Sequence, residues 1–590
     1  PQRSPLRADA QVLLQATDLA GDGFGPVSLN VRAGEIVGLA GADGNGQHQL
    51  LRGLAGVGDP SGGLAIRGKA ISSYGEAVRN RVLFLSGDRR QESLFPSLSI
   101  KENLTVGILR RLSTAGVIST GRQREAVASE IDGFGIKVGS PVLPVTSLSG
   151  GNQQKVALSR ALATKPEVIL IDEPTQGVDV RSRMDIYRML RGAADGGVGV
   201  VIGSSDASEL AGVADRIVVM SRGTVVAELP GIGATEESIV GSFSVATHSD
   251  VTAKRDSSPV KLEQGRLRRM FGGSGDFGRL GVLALIVAVI WIAAILIQPK
   301  FGSSQSFYNV LLLTLPLAVL AVAQFSVMIL GGIDVSVGGV VGLTVVVMSF
   351  LITSGNVGVL ILFSLVIALI LGLIVGGINA VLTESMKLTP VIATIATFGI
   401  ASGAALILRP TAAGAIDSDL MTIMTKKVGF IPLPFLVVIP LLIVGDLLLW
   451  RSKFGLLVRA AGLQPVFAFR LGLNVRRMKV ISYLMAATVA GIAGILVAGQ
   501  VGTGDGTVGS GYTLLAIAAP VLGGASLLGG RGSFVGCLVG ALMLGLATTI
   551  VPALKLSDAV SYLIIGGLTL IALLAYSRTS GRRRNRRAQA

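Results

Sequence analysis

Leu-Ser-Gly-Gly-Asn-Gln-Gln at residues 148–154, followed by Val-Ile-Leu-Ile-Asp-Glu-Pro-Thr at 168–175, decides the fold. The second piece reads as a buried strand ending in two carboxylates, Asp172 and Glu173. Open α/β sheets place their ligands at the carboxyl ends of such strands. One carboxylate there can hold Mg²⁺ through water, and the next can polarise an attacking water. The first piece leads into a helix running on through Arg160. The Ser149 hydroxyl and the amides of Gly150 and Gly151 stand at its N-terminus and suit a phosphate. Together, at this spacing, the two pieces point to a nucleotide site.

Around them, from Val12 to Phe243, short β-branched runs recur at Glu35–Leu39, Val82–Leu85, Val198–Ile202 and Arg216–Met220. With helical stretches between, they predict an α/β domain. Gly41-Ala42-Asp43-Gly44-Asn45-Gly46-Gln47-His48 follows the first of these runs. A phosphate loop reads G-x-x-x-x-G-K-[ST]. Gly41, Gly44 and Gly46 keep the backbone cradle. Gln47 stands at the lysine position and His48 at that of the Mg²⁺-binding hydroxyl, so a charge-assisted contact to phosphate is lost. Asp43 adds a negative charge beside the cradle.

Composition changes along the chain. Of 590 residues, 50% are hydrophobic, 15% are charged and 79 are glycine, with a mean hydropathy of +0.66. These values exclude a disordered chain, a disulfide scaffold and a simple cytosolic enzyme. The single cysteine, Cys537, sits in an apolar run and reads as packing. Residues 1–250 hold 25 Lys and Arg against 26 Asp and Glu, whereas residues 251–590 hold 27 against 10. The net +16 therefore flanks apolar segments, and nucleic acid is not an expected partner.

Runs long enough for a lipid bilayer occur near 280–298, 309–330, 335–353, 357–381, 390–408, 430–450, 480–499, 533–551 and 559–577. A shorter run at 512–528 contains Pro520, Gly523 and Gly524. Counted as a tenth span, and broken, it hints at a transport pathway. With ten spans and both termini cytoplasmic, nineteen basic residues face inward and five outward, as the positive-inside rule requires. Gly372/Gly376, Gly399/Gly403 and Gly536/Gly540 predict close helix packing within one bundle. The expected layout is an α/β nucleotide-binding domain at 1–245, a polar linker at 246–278, a membrane domain at 279–577 and a basic lipid-facing tail at 578–590. Pro1–Ala10 carries no apolar leader, and the missing initiator Met suggests processing or an upstream segment.

Residues 148–180 resemble the ATPases of ABC transporters, and more narrowly the second nucleotide-binding domain of ribose-type sugar importers and their nucleoside-importing relatives. The resemblance covers about residues 12–243. It implies ATP and Mg²⁺ as cofactors, with Mg²⁺ on Asp172 through water. Ser149, Gly150, Gly151 and Gln153 fall in the signature motif, Asp172 in Walker B and Asp179 in the D-loop, and Glu173 is the catalytic glutamate. Aligning the family's Gln loop and switch histidine puts Gly87 and Ser205 at those positions. With Gln47 and His48, these departures predict a degenerate Walker site. ABC sites are composite, so the resemblance implies that Ser149–Gly151 completes the site of a second ATPase domain with an intact lysine.

Residues 280–577 resemble the permease of the same importers. The residues carrying this are Gly331 to Gly338, Gly462 to Gly472, and Gly511-Tyr512 through Gly530. The resemblance implies a multidomain fold, an α/β P-loop ATPase followed by an all-α membrane domain. It implies ATP-driven monosaccharide import across a bacterial inner membrane, with a second permease copy and an extracytoplasmic sugar-binding protein. Asp334 and Tyr512 are candidates for the substrate pathway, although Asp334 also reads as a cap for a helix starting at Val335. The basic loop Arg451–Lys479 corresponds to the coupling helix, or else lies on anionic lipid. Nucleoside or signal-sugar import, an exporter and an ATPase-silent subunit remain as alternatives.

Overall fold

The structure is a computed structural model. It describes residues 10–570 except 43, 59, 89–91, 245–276, 555–556, 558, 561–562, 565 and 568–569. The expected tail, nearly all of the expected linker and part of the expected span at 559–577 lie outside the described residues, as does Asp43. The chain divides into two compact units, Pro1–Gln264 with Gln464–Leu473, and Gly265–Leu463 with Asn474–Ala590.

The first unit is built on a six-stranded sheet. Its order is Thr224–Pro230, Arg216–Ser221, Ile36–Ala40, Gly199–Ser204, Val168–Asp172 and Val82–Leu85. Only the first pair is antiparallel. The parallel strands are buried on both faces, so they read as continuous Val/Ile/Leu runs. This is why the sequence expectations fall within two residues of the observed ends. Ala40 pairs with Ser204, and Asp172 with Gly203. Three strands therefore end side by side and bring the glycine loop, the two carboxylates and Ser205 to one sheet edge. A four-stranded antiparallel sheet, ordered Phe24–Arg32, Val12–Gly21, Ser61–Ile66 and Lys69–Ala70, completes the unit.

The second unit is helical. Among the described residues, six helices are long and apolar enough to cross a membrane: Ser304–Met328, Val357–Ser385, Pro390–Leu408, Leu433–Arg451, Val475–Val501 and Phe534–Pro552. Phe277–Ile297 adds a further apolar helix of 21 residues. Val337–Leu351 has 15 residues and Ser510–Leu522 has 13, both short for a bilayer of ~30 Å. The expected count of about ten spans, one of them short or broken, is thus not confirmed among the described residues.

Glycines set the helix spacing. A Cβ at Gly372 would lie 2.4 Å from the Thr488 Cα, and one at Gly376 would lie 2.6 Å from the Tyr483 carbonyl oxygen. A Cβ at Gly540 would lie 1.9 Å from the Ala519 oxygen. At Gly399 and Gly403 the same atom would meet nothing within 4 Å. Two of the three glycine pairs therefore belong to packing within the bundle, and the third does not.

Candidate functional site

Two glycines of the loop require left-handed backbone. Gly44 and Gly46 adopt φ of +88° and +99°, and a Cβ at Gly46 would press on the Gly23 oxygen at 2.7 Å. Only glycine fits there. Asn45 holds the loop to the turn after the Arg216–Ser221 strand: its oxygen accepts from the Gly223 N–H at 3.0 Å, and its side chain accepts from the Arg222 N–H at 3.3 Å.

Gln47 opens the following helix, Gln47–Leu54, and is fully buried. Its Nε2 donates back to the carbonyls of Gly41 at 2.9 Å and Ala42 at 3.0 Å. Its Oε1 is buried without a hydrogen-bond partner. The donors at the lysine position are thus spent on the loop itself, and the atom left over is an acceptor, which repels phosphate oxygens. His48 turns the other way. Its Nδ1 lies 2.5 Å from Asp172 Oδ1, with the two side chains 24% and 13% exposed.

Asp172 ends its strand and Glu173 follows with φ +45°, a left-handed conformation uncommon outside glycine. Glu173 Oε1 accepts the Ser205 N–H at 2.7 Å, and the Glu173 N–H donates to the Gly203 oxygen at 2.8 Å. Gly87 packs against this corner: a Cβ there would sit 3.1 Å from the Glu173 Cβ. His48, Gly87, Asp172, Glu173 and Ser205 share one pocket of about 230 Å³. The sheet thus brings these five sequence candidates together. An Mg²⁺ ion needs near-octahedral oxygen donors. The Asp172–His48 pair, with an imidazole N–H aimed at the carboxylate, does not fit it.

Ser149 is exposed at the N-cap of helix Gly150–Ala163, and its Oγ accepts from Asn152 Nδ2 at 2.9 Å. Gln153 Nε2 donates to the Leu148 oxygen at 2.8 Å, fixing the turn before the helix. A Cβ at Gly151 would strike Ser182 Oγ at 2.4 Å. Asp179 caps helix Val180–Asp195 by accepting the Ser182 N–H at 3.0 Å, and this bond holds its carboxyl below the usual range. The next residue, Val180, is 79% exposed. The signature turn and the D-loop form a rigid corner whose serine remains presented to solvent.

Helix Pro465–Arg470 belongs to the first unit. Phe467 stacks on Phe95 with ring centroids 4.7 Å apart, the Tyr74 hydroxyl donates to the Arg470 oxygen at 2.6 Å, and Arg470 pairs with Glu92 at 2.5 Å. Arg160, also buried, lies 4.7 Å from the Phe467 ring centroid and donates to the Ser93 oxygen at 2.6 Å. Sequence reading placed Arg160 only as a point along a helix; nothing in its spacing announced this packing.

In the second unit Asp334 is fully buried. It accepts at Oδ1 from the Ser336 N–H at 2.8 Å and hydroxyl at 2.6 Å, a local turn that precedes the helix Val337–Leu351. The helix starts two residues later than the sequence suggested, and Ser336 stands at its N-cap position. The polar chain continues: Asn379 Nδ2 donates to Ser336 Oγ at 2.8 Å, and Thr397 Oγ1 donates to Asn379 Oδ1 at 2.6 Å. Tyr512 packs partly buried against the apolar core. Asp446 was missed from sequence. It receives the Phe534 N–H at 2.7 Å and the Ser533 hydroxyl at 2.6 Å, capping another apolar helix.

Residues 24–176 match the ABC transporter family, and residues 306–573 match the family described as branched-chain amino acid transport system / permease component. The chain therefore joins an ABC transporter ATP-binding domain to an integral membrane permease domain. A ribose import ATP-binding protein of Rhizobium meliloti is 36% identical over 231 residues, 39% of this chain and 45% of that protein. An arabinose import ATP-binding protein of Azospirillum brasilense is 40% identical over 239 residues, 40% of this chain and 46% of that protein. The chain spans just under half the length of these curated relatives.

Proposed function

We propose that the chain is the permease and one ATPase domain of a bacterial importer for a monosaccharide, working with a second ATPase domain whose Walker lysine is intact. The observation that carries this reading is the contrast between two motifs. The Walker loop is filled by its own Gln47, while the Ser149 turn is intact and exposed. Ser149–Gly151 then close over ATP held by the other domain, whose Walker loop supplies the lysine and the metal. The sugar preference is supported by likeness to ribose and arabinose import ATP-binding proteins. Helix Pro465–Arg470, seated by Phe467 and Arg470, is the coupling element that moves with the closing domains. The first unit and both termini then lie on the cytoplasmic side, with a binding protein delivering solute outside.

The reading is tested by uptake into vesicles containing this chain with and without the second ATPase subunit. Radiolabelled ribose, arabinose, a nucleoside and leucine are offered with the cognate binding protein. ATP-dependent sugar uptake only with the second ATPase supports it. Uptake of leucine or nucleoside alone moves the substrate class, and no uptake of any solute in the complete system removes the transporter reading.

A further inference from the structure

We propose that this chain's own Walker site holds no divalent cation, because the His48 imidazole engages the Asp172 carboxylate at the strand end. The proposal concerns the ATP-binding domain alone and holds whichever solute the permease carries.

Four observations converge. His48 stands where a hydroxyl would ligate the ion, and its Nδ1 lies 2.5 Å from Asp172 Oδ1. That bond ties the start of helix Gln47–Leu54 to the end of strand Val168–Asp172. An imidazole N–H donating to the carboxylate cannot also ligate a metal through that nitrogen. Of the two other carboxylates lining the pocket, Asp88 and Glu173, Glu173 accepts the Ser205 N–H at 2.7 Å.

The remaining surroundings agree. Gln47 donates its Nε2 to the Gly41 and Ala42 carbonyls and so braces the loop from within. Among the described residues, no group of three or more His, Cys, Asp or Glu side chains is placed to hold a metal ion. The Asp172 carboxylate is thus engaged by a protein group rather than left open to an ion.

The test is Mn²⁺ binding by electron paramagnetic resonance on the purified full chain in nanodiscs, with the non-hydrolysable analogue AMP-PNP. Wild type is expected to show no Asp172-dependent Mn²⁺ site. The double variant Gln47→Lys/His48→Ser is expected to gain one, with affinity falling about tenfold or more when Asp172→Asn is added. Wild-type Mn²⁺ binding that Asp172→Asn abolishes would overturn the proposal. So would failure of the folded double variant to gain a site, since His48 would then not be what excludes the ion. If the double variant does not fold, the comparison of wild type with Asp172→Asn still decides. A second readout is the thermal midpoint of wild type, expected to be the same in EDTA and in Mg²⁺ and lowered by His48→Ala.

Discussion

Glu173 and Ser205, 32 positions apart in sequence, meet through a 2.7 Å hydrogen bond from the Ser205 N–H to Glu173 Oε1. Under the proposed function the productive site takes its catalytic carboxylate from the second ATPase domain, and Glu173 serves here to hold the Ser205 backbone. Glu173→Gln should therefore change ATP turnover of the assembled complex by less than about twofold, against the ~10²–10⁴-fold loss typical of an essential general base. Phosphate release from proteoliposomes measures this; a loss of that larger size would return Glu173 to catalysis.

The two halves of the nucleotide machinery should respond oppositely. Ser149→Arg puts a long cation on an exposed turn that leads straight into helix Gly150–Ala163, and should abolish ATP-driven transport without unfolding the domain. Gln47→Ala removes two buried hydrogen bonds, costing about 1–3 kcal/mol of stability, yet should leave transport nearly intact. Uptake and thermal melts on both variants separate these effects, and the reverse pattern would place turnover in this chain's own Walker loop.

Glycine substitutions should sort by what surrounds them. Gly372→Val and Gly376→Val drive a side chain into the backbone of helix Val475–Val501 and should destabilise the second unit by about 1–3 kcal/mol or more. Gly399→Val meets open space and should leave the melting temperature in detergent unchanged. Equal effects at all three positions would contradict the packing.

Asp446 should matter as a cap. Asp446→Ala strands the Phe534 N–H and the Ser533 hydroxyl in an apolar setting, a loss of about 1–2 kcal/mol, whereas Asp446→Asn keeps an acceptor oxygen and should recover most of it. Detergent melts of the two variants give the comparison.

The Arg470–Glu92 pair carries a pH dependence of known sign. Burial pushes the Glu92 carboxyl up, but hydrogen bonds from Arg470 and Ser86, with the charges of Arg470 and Arg52, outweigh it and hold it below the ordinary range. A depressed carboxylate contributes fully above its unfolded value and loses that contribution as pH falls through the folded one. Hydrogen-exchange protection of Gln464–Leu473, corrected for intrinsic rates, should thus be flat near neutrality and fall in acid. In Glu92→Gln it should already be reduced at neutral pH.

Much of the first unit was legible because buried parallel strands leave continuous apolar runs, and because the carboxylates follow one of them directly. The departures of Gln47 and His48 from the phosphate-loop pattern were legible in the sequence. What these side chains do instead was not. Gln47 folds back on its own loop, and His48 reaches a carboxylate 124 positions away, a pairing only the sheet order creates. The membrane half was legible as apolar runs, but not as whole spans. Helix Ser304–Met328 stops short of Gly331, and helix Ser510–Leu522 runs through Pro520 and stops at Gly523; the polar chain through Asp334, Ser336 and Asn379 follows the first of these ends. Nothing in the spacing of Gly399 and Gly403 distinguished them from the glycine pairs that pack.

Gly87, Gln47 and His48 make this corner a coupled set. A side chain at 87 would crowd the Glu173 Cβ at 3.1 Å. A lysine at 47 would put a charge in a fully buried position, and a serine at 48 would release Asp172. Each change made alone disturbs a contact that braces the others, so the corner is rebuilt only by changes made together.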